Sequence, residues 1–145
     1  MSQQNFKDYT FIFESTKTLN NIFETLLNVR KWWTGFYRED IKGSSKVLND
    51  EFIFNAGDGV HYSKQRLVEL APTEKIVWQV IESNLSFLKQ TDEWTNTKIS
   101  FKISKQGNKN LITFTHRGLV PQIECYKDCS GAWTQYLEKL AEKLR

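Results

Sequence analysis

The segment from Leu111 to the C-terminus constrains the fold more than any other part of this chain. A strand-like run, Leu111 to His116, breaks at Arg117-Gly118-Leu119-Val120-Pro121 and gives way to a long helical pattern. Cys125, Cys129, Trp133, Tyr136, Leu137, Leu140 and Leu144 recur at three- and four-residue steps, which places them on one broad apolar stripe. The spacing predicts a helix from about Pro121, a favourable first-turn residue, to Leu144. Most of the preceding chain has strand patterns, so this stripe must be buried against a sheet.

Tyr9 to Glu14 alternates as a first strand. Ser15-Thr16-Lys17-Thr18 supplies N-cap candidates for a helix with Leu19, Ile22, Phe23, Leu26 and Leu27, ending near Asn28 or Val29. Arg30 to Trp33 reads as a second short helix, and Thr34-Gly35-Phe36 opens a polar loop through Ser44-Ser45. From Glu51 the period becomes two. Glu51 to Ala56 is a strand, Gly57-Asp58-Gly59 a tight hairpin, and Val60 to Leu70 the return. After Ala71-Pro72-Thr73, Lys75 to Glu82 is the next strand, while Asn84 to Trp94 reads as a loop with a short strand. Thr97 to Ser104, the turn Gln106-Gly107-Asn108 and Asn110 to His116 complete the meander. The expected fold class is α+β: a curved antiparallel sheet of about six strands wrapped around one long C-terminal helix, with two short helices after the first strand. Residues 1–145 form a single domain.

At 145 residues, a chain buries roughly 70% of its unfolded surface and needs no disulfide or metal staple. The net charge of +3 arises from 20 basic and 17 acidic residues mixed along the sequence. That is a solvated surface, not the clustered basic footprint of a nucleic-acid binder. Met1-Ser2-Gln3-Gln4-Asn5 lacks the basic and apolar regions of a signal peptide, and no apolar run is long enough to span a bilayer. A soluble, cytoplasmic protein is expected, as a monomer or weak homodimer. Five tryptophans, five tyrosines and ten phenylalanines suit wide walls around a core or cavity.

Four stretches carry a family resemblance: Asn28-Val29-Arg30-Lys31-Trp32-Trp33, His61-Tyr62-Ser63-Lys64-Gln65, Glu93-Trp94-Thr95-Asn96-Thr97-Lys98, and Phe114 to Pro121 with Glu124-Cys125-Tyr126 and Cys129. In that order the chain resembles the helix-grip superfamily, which includes START domains, the birch-pollen allergen type and polyketide cyclases. Within it, the chain is most similar to bacterial homologues of the C-terminal domain of the activator of Hsp90 ATPase. The resemblance implies an interior cavity between sheet and helix. It also implies roles that range from ligand binding to chaperone association, because fold does not fix function.

His116 shares a strand face with Ile112 and Phe114. On a concave face it is either a general base, a ligand-orienting donor or a proton sensor, or else a cap on the last helix. Cys125 and Cys129 lie one helical turn apart and read as packed small hydrophobes, as ligand-facing or redox-sensitive thiols, or as two metal ligands with His116 or His61. The spacing is no metal knuckle and i,i+4 geometry suits a disulfide poorly, so no metal or cofactor is expected. Trp32 and Trp33 are adjacent, so one seals a cavity mouth while the other packs or stays partly exposed. Trp78 and Trp133 read as opposing cavity walls or, with the other tryptophans, as simple core, and the directions of His61 and Arg66 are open. The first expectation is binding of a small hydrophobic molecule, oriented by His116 and Tyr62. Trp33, Phe54, Trp78, Phe101, Phe114 and Trp133 supply contact area beside Cys125 and Cys129. The second, from the resemblance, is a stress-response domain associating with an Hsp90-type chaperone through a surface such as Trp32 to Tyr37. The third is a cyclase or dehydratase with His116 as base.

Overall fold

The period-two alternation becomes one seven-stranded antiparallel sheet in a computed structural model that describes residues 7–145. In chain order the elements are β1 (Tyr9–Ser15), α1 (Leu19–Leu27), a 3-10 turn at Val29–Lys31, β2 (Asp40–Gly43) and β3 (Glu51–Ala56). They continue with β4 (His61–Ala71), β5 (Lys75–Leu85), β6 (Lys98–Gln106), β7 (Lys109–Arg117) and α2 (Tyr126–Lys143). The strand order is β1-β7-β6-β5-β4-β3-β2, so β2 to β7 is a continuous meander and β1 returns to pair with β7. No helix of the described residues is long and apolar enough to cross a membrane.

One face of the sheet is a continuous apolar stripe set by register. Phe13 opposes Ile112, Phe11 opposes Phe114, and Tyr9 opposes His116; the same β7 residues oppose Ile103, Phe101 and Ile99 on β6. Partners in an antiparallel pair point to the same face, so the expected inward set of β7 is the observed one. α2 lays Cys129, Trp133, Tyr136, Leu137 and Leu140 onto this face. Its C-terminal end is tied down by a hydrogen bond from the Ser15 hydroxyl to the Leu144 carbonyl. α1 is started by Thr18, whose hydroxyl accepts from the Asn21 amide at 3.1 Å.

Three elements differ from the pattern reading. The polar loop after Phe36 contains β2, the seventh strand, where Asp40, Ile41, Lys42 and Gly43 pair with Asn55, Phe54, Ile53 and Phe52. Four residues with a single apolar side chain carry no detectable alternation, and the strand exists because β3 offers a free edge. The last helix starts at Tyr126, not near Pro121. Gly118 at φ +103° and successive turns delay it, and the Glu93 carboxylate accepts the Glu124 and Cys125 amides at 3.0 and 2.9 Å. Helix N-terminal amides need such acceptors, so the helix begins where Glu93 can cap it. The short helix after α1 is one 3-10 turn, and it ends before Trp33 rather than including it.

Gly43 closes the β2 edge at φ +105°, and an added Cβ would lie 2.4 Å from the Glu51 carbonyl oxygen. Side chains other than glycine are strained at such φ. Gly43→Ala should therefore lower unfolding free energy by about 2 kcal/mol, read as a lower urea midpoint with unchanged slope; a loss under about 0.5 kcal/mol would contradict this geometry.

Candidate ligand cavity

Bulky aromatics on the sheet, on α2 and in two loops cannot fill the end of the molecule near the β3–β4 hairpin. They leave a cavity of about 360 Å³. Five of its lining rings form a closed circuit of contacts. Trp33 stacks on Phe54 of β3 at 4.1 Å and 17°, and lies 4.9 Å from Trp133 of α2. Trp94, at the end of the β5–β6 loop, is parallel to Trp133 at 5.9 Å. His61, at the start of β4, stands edge-to-face between Phe54 at 5.5 Å and Trp94 at 4.5 Å. Such pairs add about 0.5–1.5 kcal/mol each beyond burial, so the wall is rigid. Trp33, Phe54, Trp94 and Trp133 are only 2–3% exposed, whereas Tyr37, Val60 and Phe87 at the rim are 41–44% exposed. The cavity therefore opens through a mouth that is apolar apart from the exposed Asp128.

The mouth is built by the loop after Trp33. The Glu39 carboxylate accepts the amides of Gly35, Phe36 and Tyr37 at 2.8–3.1 Å and the Tyr136 hydroxyl at 2.5 Å. Burial pushes the Glu39 pKa up, but these hydrogen bonds outweigh it and hold the carboxyl at about 2. The same contact, together with burial, pushes the Tyr136 hydroxyl well above its ordinary value. Tyr37 is further held by its carbonyl, which accepts the Gly57 amide at 2.7 Å, and by a hydroxyl contact to Gln135.

His116 lies behind Trp94 and Trp133, fully buried. The Trp133 indole N–H donates to its Nδ1 at 3.0 Å, so the neutral ring carries its proton on Nε2 and donates to Thr97 Oγ1 at 2.8 Å. Thr97 in turn donates to the Trp94 carbonyl at 2.6 Å. Every lone pair and proton of this imidazole is in use, which joins β7, α2 and the β5–β6 loop. Burial, with a smaller push from His61, lowers its pKa to about 3. His61 differs: its Nδ1 and the Trp94 Nε1 are buried without a hydrogen-bond partner. Burial lowers the His61 pKa to about 4, so this ring is also neutral at pH 7.

Of the sequence candidates, Trp33, Phe54, Cys129 and Trp133 line the cavity. Trp78, Phe101 and Phe114 share the concave face but are core: Phe101 packs on Trp32 at 5.2 Å and Phe114 on Trp133 at 4.6 Å. Both adjacent tryptophans are buried, Trp33 at the cavity and Trp32 beneath it, its N–H donating to the Leu26 carbonyl. Tyr62 lies on the opposite sheet face and donates to Glu82. Arg66 is on that face too, paired with Glu51 at 2.6 Å. Tyr62, expected to orient a ligand, would have to share an inward face with Val68 and Leu70. The bulge at Val68, between Leu67 and Glu69, reverses parity along β4, whereas the shift between Lys64 and Gln65 is taken up by the extra residue Ile81 on β5. His61, Ser63, Gln65 and Leu67 face inward before the break, whereas Leu70, opposite buried Ile76, does so after it.

Cys125, at the N-cap of α2, and Cys129, one turn further on, lie side by side with their Cα atoms 5.5 Å apart, both buried, and of the two Cys129 lines the cavity. Among the described residues no group of three or more His, Cys, Asp or Glu is placed to hold a metal ion. His61, Trp94, Tyr37, Tyr136, Val60 and Phe87 were not identified from sequence as lining residues, although Trp94 and His61 lie in two of the resemblance stretches.

A seven-stranded antiparallel sheet closed by a C-terminal helix, with a cavity between them, defines the helix-grip class. The chain belongs to the family of Activator of Hsp90 ATPase homolog 1-like proteins, which matches residues 18–145. The fold is similar to that of the Aha1 dimer from Colwellia psychrerythraea, at 20% identity, 95% of this chain, 96% of that one and a TM-score of 0.73. It is also similar to protein MLL2253 from Mesorhizobium loti (16% identity, 92% and 94% coverage, TM-score 0.67) and to CalU16 from Micromonospora echinospora (10%, 92% and 73%, 0.63). Comparison with curated proteins finds no match.

Both imidazoles are neutral when folded and protonate near pH 6.5 when unfolded. The unfolded chain then binds more protons, so stability is complete above about pH 6.5 and falls as pH drops toward 5. Each ring contributes a slope of up to about 1.4 kcal/mol per pH unit. Urea denaturation at pH 7, 6 and 5 should show this fall, with about half of it gone in His61→Phe. Superimposable pH profiles for the two proteins would contradict the assignment to His61.

Proposed function

We propose that this protein binds a small, predominantly apolar molecule in the cavity between α2 and the β3–β4 end of the sheet. The observation that carries this reading is the cavity itself. It has about 360 Å³ of space, in the range of small-molecule sites, aromatic walls and a largely apolar mouth. Binding rather than turnover is the reading because His116, the expected base, cannot take up a proton without losing the bond from Trp133. Ala132 lines the cavity from α2, so Ala132→Phe takes up part of its space while leaving every sheet residue unchanged. A library of apolar and aromatic compounds should shift tryptophan fluorescence and melting temperature of the protein but not of Ala132→Phe, with the two far-UV circular dichroism spectra alike. Equal responses, or none in either protein, would sink the reading.

Family membership favours a second reading, association with an Hsp90-type chaperone. Phe36 and Tyr37, each 41% exposed, stand together in the loop held by Glu39, and Phe36 does not line the cavity. If this loop is the contact, Phe36→Ser should reduce capture of a bacterial Hsp90-type chaperone and any stimulation of its ATPase at least several-fold. Unchanged capture would place the contact elsewhere.

A further inference from the structure

We propose that the cavity selects an organic cation: a molecule with an apolar body and an ammonium or similarly cationic head placed at the mouth beside Asp128. This rests on the cavity-binding reading above and adds the charge of the ligand.

The inner wall supplies only apolar and neutral surface. Trp33, Phe54, Trp94 and Trp133 are ring systems, and His61 is held uncharged by burial. A desolvated charge among them would meet ring faces but no counter-charge, so the charged part of a ligand is placed at the mouth, where a carboxylate joins the rings. There the exposed lining residues are Tyr37, Val60, Phe87 and Asp128. Among the described residues Asp128 is the one carboxylate that lines the cavity, and no lysine or arginine lines it. Asp128 is exposed, and among the described residues it takes part in no salt bridge.

An anionic head has no counter-charge in this site. Before the first residue of α2, Glu93 accepts from the Glu124 and Cys125 amides at 3.0 and 2.9 Å, and Asp128 itself lies in the first turn of the helix. The positive end of the helix, which otherwise attracts anions, thus already carries two carboxylates of the protein. A cation gains on both counts. It meets the Asp128 carboxylate, and the exposed rings of Tyr37 and Phe87 line the same opening. Aromatic faces within about 6 Å attract cations through their quadrupoles. A neutral molecule of the same shape gains neither.

Three probes sharing a naphthylmethyl body and carrying a trimethylammonium, a hydroxyl or a carboxylate head separate these cases by isothermal titration calorimetry at low salt. The ammonium probe should bind about tenfold more tightly than the alcohol, and the carboxylate most weakly. Asp128→Asn should bring the ammonium probe to within about threefold of the alcohol and leave the alcohol unchanged. Salt at 0.5 M should narrow the same gap, because the contact is exposed. Equal binding of ammonium and alcohol, tighter binding of the carboxylate, or a preference that survives Asp128→Asn would overturn the cation assignment while leaving the cavity-binding reading intact. Binding of none of the three would overturn both.

Discussion

The structure depends on one contact, the insertion of Trp133 from α2 into the concave face of the sheet. Its ring lies 4.6 Å from Phe114 and 4.9 Å from Trp33, and its N–H donates to His116. A buried indole needs a partner for that N–H, and a buried imidazole needs a donor for its unprotonated nitrogen. Each satisfies the other, so packing and polar satisfaction agree on one position for the helix. The contact also reaches the β5–β6 loop, because His116 passes its second hydrogen bond through Thr97 to the Trp94 carbonyl.

The cavity follows from that constraint. With α2 held at Trp133, and with Trp94 parallel to it, the large rings at the hairpin end pack against one another in a circuit and cannot collapse further into the opening. Interiors close voids where side chains can adjust. Here Trp33 and Phe54 are already stacked, and His61 is held perpendicular between Phe54 and Trp94. The loop above them is equally set, since Glu39 gathers three backbone amides and the Tyr136 hydroxyl. Space and opening are thus properties of a rigid frame. Two buried polar atoms in the wall, His61 Nδ1 and Trp94 Nε1, have no hydrogen-bond partner, an arrangement found more at functional surfaces than in ordinary cores.

Much of this was legible along the chain. The stripe from Cys129 to Leu140 located the gripping helix, and the alternation through Ile112, Phe114 and His116 identified the face it meets. Trp33, Phe54 and Trp133, expected from their aromatic character to supply contact area, line the cavity. Tyr62 was assigned to the wrong face because a β-bulge reverses parity without leaving a mark in the apolar pattern. Trp94 was passed over because its loop has no period, and a loop residue is positioned by what it packs on. β2 was invisible because an edge strand of four polar-rich residues is formed by its neighbour's unpaired edge.

The sequence by itself determined the architecture, since periodicity decides which residues share a face and a face that is apolar has to be covered. It also determined the family, because its motifs are local words in a fixed order. Only the tertiary structure decided which aromatics are wall and which are core, that His116 is bound on both nitrogens while His61 Nδ1 is not, and that, among the described residues, Asp128 is the one carboxylate lining the cavity. Those properties depend on distances between residues far apart in the chain, and these are set when bulges, caps and loops fix the position of each element.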